Sequence, residues 1–175
     1  MKNKMIKYPV ILGVIALIAG LLLALVYNIT EPIIEKNKNK RENAIVIEMF
    51  GDDVKINDIS NTLTKVESDK GIYAVLKVEY SGSNYYVYKV TVADAFDGDE
   101  SSFVVAIDNE GKVYKLEFTS AGDSYASKYA TDSYETSIKG KEELSDSDTV
   151  GGATKTGKPI IESINAAIAH KGGTN

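Results

Sequence analysis

The chain has 175 residues, a formal charge of −5, one long apolar run and about 150 residues beyond it, enough for one globular domain with a genuine core. The acidic balance argues against nucleic acid, because a phosphate backbone attracts a basic face. With no cysteine and a single histidine, His170, the chain excludes disulfides, cysteine-ligated metal clusters, a lipoprotein anchor, a catalytic triad and any multi-histidine metal site.

A basic tail, residues 1–7 with Lys2, Lys4 and Lys7, precedes the run YPVILGVIALIAGLLLALVY, residues 8–27, which carries no charge. As a helix this run is about 30 Å long, the thickness of a bilayer's hydrocarbon core, and Tyr8 and Tyr27 stand where interfacial aromatics belong. The apolar region of a cleavable signal peptide is shorter, about 7–15 residues, and no small-x-small cleavage site follows. The expectation is an uncleaved single-pass anchor. The purely basic N-tail places the N-terminus inside and the remaining chain outside.

Pro32, with Thr30 near the cap, predicts a juxtamembrane helix over residues 28–51 that ends at Gly51 and docks Ile45 to Phe50 on the domain. The stretch DDVKINDISNTLTKVESD reads as turn-rich and polar. A period of two then predicts two strands in GIYAVLKVEYSGSNYYVYKVTVADAF, joined through SGSN. A second hairpin follows in SSFVVAIDNEGKVYKLEFTS, turning at Asp108–Gly111, where Gly111 supplies a positive φ. The polar segment from Ala121 to Asp148 reads as a loop with a short helix. Finally, KPIIESINAAIAH sets Ile160, Ile161, Ile164 and Ile168 on one helical face, with Pro159 in the first turn. The sum is an α+β fold: an antiparallel sheet flanked by helices and preceded by one N-terminal transmembrane helix. The expected domain, residues 52–170, is followed by a tail, residues 171–175.

Four features invite a chemical reading. DGDE, Asp97 to Glu100, lacks the staggered ligands of a calcium loop and reads as a solvated strand connection. His170 reads as a cation at a fraying helix end, and the 11 tyrosines mostly as strand packing. The fourth is Gly151-Gly152-Ala153-Thr154-Lys155-Thr156. Small residues let a backbone approach a phosphate, a helix starting near Lys158 offers its positive N-terminal end, and Lys155 and Lys158 add charge of the right sign. That combination suits a phosphate held against the Thr154 hydroxyl. A flexible loop running into a helix, with Thr156 as its capping hydroxyl, is the alternative.

DTVGGATKT, Asp148 to Thr156, resembles the flavinylation motif of the FMN-binding domains of the Rnf-complex G subunit and NqrC family. The surroundings resemble that family too, through one N-terminal apolar helix, ITEPIIEKNKNKRENAIVIEMF, the hairpin FVVAIDNEGKVYKLEF and a C-terminal amphipathic helix. The resemblance implies FMN joined by a phosphoester bond to Thr154, attached from FAD by a separate Mg²⁺-dependent flavin transferase. Gly152 and Ala153 would admit the phosphate, Asp148 would belong to the recognised signature, and Thr156 would contact phosphate beside Lys155. It implies a redox subunit without substrate chemistry of its own, anchored in membrane lipid with its domain extracytoplasmic. Its partners would be the other subunits of an Rnf-type complex, which passes electrons between ferredoxin and NAD and couples them to ion movement. Two departures stand out: Gly151 replaces the family's Ser or Thr, and FTSAGDSYASKY replaces its Glu-Thr-Pro-Gly-Leu-Gly stretch. The latter keeps open a stand-alone flavinylated carrier, or a non-redox anchored interaction domain that has lost the flavin.

Overall fold

The computed structural model describes residues 2–51, 53–93 and 98–171. For helical residues 2–7, 9–10, 28–29 and 32–43 it describes the backbone alone. The chain divides into two compact units, residues 1–41 and 42–175.

Helix α1, Lys2–Phe50, is continuous, so the separate juxtamembrane helix of the sequence reading merges with the preceding one. Thr30 does not cap a new helix. Its hydroxyl donates back to the carbonyls of Val26 (2.9 Å) and Tyr27 (3.3 Å), which keeps a hydroxyl residue compatible with a helix interior. Gly51 ends α1 as expected, at φ +97°. Among the described residues, no helix is long and apolar enough to cross a membrane. Of the expected span, the side chains of Pro9 and Val10 lie outside those described, while Ile11 to Tyr27 are described and exposed.

In the second unit a five-stranded antiparallel meander, in the order β1-β2-β3-β4-β5, forms the middle layer. Its strands are β1 (Lys55–Asp58), β2 (Ile72–Tyr80), β3 (Ser83–Ala93), β4 (Glu100–Asp108) and β5 (Val113–Ser120). Both predicted hairpins are present. The β2–β3 loop is tighter than SGSN: Tyr80 pairs with Ser83, leaving Ser81 (φ +50°) and Gly82 (φ +78°) as a two-residue turn. Two positive φ values match the right-handed strand twist. Gly111, at φ +86°, turns the β4–β5 hairpin. The polar stretch before β2 holds more than turns. It contains β1, a 3₁₀ turn and the short helix α2 (Lys65–Asp69), opened by a Thr64–Glu67 capping box. All four residues of β1 are exposed, so no buried alternation marks the strand in the sequence. Asp97, expected in the strand connection with Glu100, lies outside the described residues.

Alternation along the strands sends apolar side chains to both faces. One face, with Val75, Tyr88, Val90, Phe103, Val105 and Ile107, meets helices α3 (Asp132–Ile138) and α4 (Thr154–His170). The other, with Leu76, Val78, Val87, Val104 and Ala106, meets Val46, Met49 and Phe50 at the end of α1, as the sequence reading expected. Burying those three side chains contributes roughly 5–9 kcal/mol as an upper value, because the unfolded chain already covers part of that surface.

His170 is not at a fraying end. It is buried, its Nε2 lies 3.1 Å from the Thr62 carbonyl and its Nδ1 3.1 Å from the Tyr88 hydroxyl. A carbonyl only accepts, so Nε2 carries a hydrogen and donates it to Thr62. The helix end is held by the core, which local sequence does not reveal.

Candidate functional site

The segment leading to the motif is pinned along its length. Asn165 of α4 grips Leu144 with both amide atoms, donating to its carbonyl and accepting from its N–H at 2.8 Å each. Asp148 accepts from the Ser145 N–H at 2.9 Å in a capping box and pairs with the Lys141 ammonium. Burial pushes the Asp148 carboxyl up, but Lys141 and the Ser145 N–H together outweigh it and hold the carboxyl below its ordinary value. Asp148 thus has a structural role of its own.

The motif then turns. The Ala153 N–H donates to the Val150 carbonyl at 2.9 Å, with Gly152 at φ +76° and Gly151 outside the positive-φ set, the pattern of a type II turn. The position after Gly151 therefore requires glycine, whereas Gly151 does not. A Cβ added at Gly151 meets nothing within 4 Å, so its departure from Ser or Thr is not dictated by space.

Helix α4 begins at Thr154, four residues before the predicted start, which moves Pro159 out of the first turn. Its first helical bond runs from the Gly157 N–H to the Ala153 carbonyl, at 2.9 Å. Ala153, at the cap, brings no oxygen to the exposed N–H end of the helix, where Ser, Thr, Asp or Asn is usual. Nor does Thr156 cap, because it is already inside the first turn.

The sequence-predicted residues are brought together, with different exposures. Gly151, Gly152, Thr154 and Lys155 are exposed, as is Lys158, whereas Ala153 and Thr156 are buried. Thr154 is the first helical residue, on the solvent side of the turn. The Thr156 hydroxyl is buried and has no hydrogen-bond partner among the described residues. A buried hydroxyl in that state costs about 1–3 kcal/mol, which an acceptor arriving at this end of the helix would recover. An FMN phosphate fits this set. A Cβ would meet nothing within 4 Å at Gly151 and only the Lys128 ammonium, at 3.4 Å, at Gly152; that ammonium donates to the Gly151 carbonyl at 3.5 Å.

Sequence reasoning missed Lys128, Tyr129 and Lys141. Tyr129 is 1% exposed, and its hydroxyl accepts from the Val150 N–H and donates to the Ala153 carbonyl, at 3.0 Å each. Burial pushes the Tyr129 phenol up, only partly offset by the Val150 N–H, so it stays protonated and able to donate at neutral pH. No local pattern marks this residue, which ends the stretch FTSAGDSYASKY. Beside Asp148, Thr149 and Val150 lies a depression of about 340 Å³, lined by Lys128, Tyr134 and Lys141.

Two protein-family models match the chain: the RnfG N-terminal region over residues 1–48 and the FMN-binding domain over residues 98–169. The second match contains the whole motif, the turn and nearly all of α4. No curated protein matches the chain. An RnfG N-terminal region followed by an FMN-binding domain matches the RnfG/NqrC family that the motif resembles, and supports a flavin-binding electron-transfer subunit of Rnf type.

Proposed function

We propose that the chain is a membrane-anchored subunit of an Rnf-type complex that carries FMN in phosphoester linkage on Thr154. The observation that carries this reading is the presentation of Thr154: a lone exposed hydroxyl at the first position of α4, on a turn held from beneath, inside the region that matches an FMN-binding domain. Thr154 Oγ would attack the FMN-side phosphorus of FAD in a flavin transferase with its Mg²⁺. The Oγ–P bond forms, the bond to the AMP phosphate breaks, AMP leaves, and the hydroxyl proton passes to solvent. Bound FMN supplies the chemistry, the uptake and release of electrons. The chain would supply position: the N-terminal end of α4 and the Thr156 hydroxyl would hold the phosphate, while Lys155 and Lys158 would balance its charge. Gly151, Gly152 and Ala153 leave the approach open, and Asp148 fixes the segment before the turn.

Anchoring is supported by the uninterrupted apolar surface of Ile11 to Tyr27, since a helix apolar all round is stable only in apolar surroundings. In this reading residues 8–27 span the lipid, the N-terminus is cytoplasmic, residues 52–170 form the extracytoplasmic FMN domain, and other Rnf subunits are its partners. A covalent tether keeps the flavin from being lost by dilution outside the cell.

Intact mass and in-gel flavin fluorescence test the linkage after co-expression of the full chain with a flavin transferase. The wild-type chain and Thr156→Ala are expected to show the FMN mass increment, with a smaller yield for the latter, and Thr154→Ala none. Absence of flavin on the folded wild-type chain, when a known acceptor is labelled in parallel, would refute the proposal.

A further inference from the structure

We infer that Tyr129 is the positioning residue for the attachment threonine, acting on Thr154 by locking both ends of the turn that presents it; this rests on the covalent reading above. The turn runs from Val150 to Ala153, and Tyr129 is bonded to its first N–H and its last carbonyl through one oxygen. The internal bond of the turn, Ala153 N–H to Val150 carbonyl, closes the same loop from the other side. All four main-chain polar groups at the two ends are thereby engaged, because the Ala153 carbonyl also accepts the first helical bond of α4. Thr154 follows directly, so the plane of the Ala153–Thr154 peptide, together with the helical φ of Thr154, sets the direction of its Cα–Cβ bond.

The phenol is itself immobilised. Its ring stacks edge-on against Tyr134 with centroids 4.8 Å apart. Gly157 also lies against it: an added Cβ there would sit 1.8 Å from the Tyr129 hydroxyl oxygen. Glycine in a first helical turn has a propensity cost of about 1 kcal/mol relative to alanine. Here the absence of a Cβ makes room for the hydroxyl that holds the turn. Gly157 and Tyr129 thus form one device, built from α4 and from the segment after β5. An attacking hydroxyl gains most when it is held close to its reactive geometry before the partner arrives, and misplacement by about 1 Å can cost about a hundredfold.

The test compares full-length Tyr129→Phe with wild type, in detergent, as substrate for a flavin transferase with FAD. The ring and its packing remain and only the two hydrogen bonds are lost. Two quantities are read: the kcat and KM of FMN incorporation, and the hydrogen exchange of the Val150 amide relative to the amides of β3 and β4. The expected result is a fall in kcat of about tenfold or more with KM changed less than about threefold. The Val150 amide should exchange at least about tenfold faster while the strands keep their protection. A merely structural role would loosen the strands as well. Incorporation into Tyr129→Phe within twofold of wild type overturns the positioning role and leaves the covalent reading intact. A wild-type chain that takes up no flavin overturns the covalent reading, and the positioning role with it, whatever the amide does.

Discussion

The residues around Thr154 divide into those that present it and those that hold the presenters. Gly151, Gly152 and Lys155 are exposed beside it, whereas Tyr129, Asp148 and Lys141 act from below or behind. The Asp148 side chain is only 12% exposed and bonded to Lys141 and Ser145, so its folded carboxyl titrates below the ordinary value of 3.8. A depressed value means stability that is fully present above the unfolded pKa and lost as the pH falls through the folded one. Asp148→Asn is therefore expected to be less stable than wild type at pH 7, with the difference narrowing below about pH 4. Urea midpoints across that range decide it; a difference independent of pH would show that the charge contributes nothing. The motif residues were legible in the sequence because their spacing is local. Tyr129 was not, since a tyrosine 21 positions before Val150 gives no local sign that its hydroxyl will hold a turn. His170 was misread for the same reason: its partners, Tyr88 and Thr62, are remote in the chain.

Among the elements, the hairpins were readable because turn chemistry and alternation are short-range properties. The β2–β3 turn still departs from the ideal residue choice, with Ser81 at φ +50°, a conformation that asparagine tolerates better. Ser81→Asn is expected to raise stability by about 0.5–1 kcal/mol, seen as a thermal midpoint higher by a few degrees. An unchanged or lower midpoint would mean that Ser81 makes a compensating interaction in its present place. Strand β1 escaped the reading because KIND has no buried face; it exists by pairing along the free edge of β2, with Ile56 opposite Val78. The start of α4 was placed too late for a related reason. Pro159 suggested a first turn, but the type II turn at Val150–Ala153 already aims the chain into a helix at Thr154.

At the scale of the molecule, the end of α1 belongs to the second unit and closes one face of its sheet. A chain beginning at Glu42 is expected to fold and elute as a monomer in buffer without detergent. One beginning at Gly51 lacks Val46, Met49 and Phe50, leaving Leu76, Val78, Val87, Val104 and Ala106 uncovered. It should lose several kcal/mol of stability and associate. Size-exclusion chromatography and thermal unfolding of the two chains check this, and equal behaviour would show that α1 contributes no cover. The α+β class, the two hairpins, the amphipathic face of α4, the apolar N-terminal run and the motif itself were determined by the sequence alone, because each depends on residues within a few positions of one another. Tertiary structure decided the rest. Only when the segment after β5 packs on α4 does the Tyr129 hydroxyl reach both ends of the Val150–Ala153 turn, because that contact joins positions separated by 21 and 24 residues.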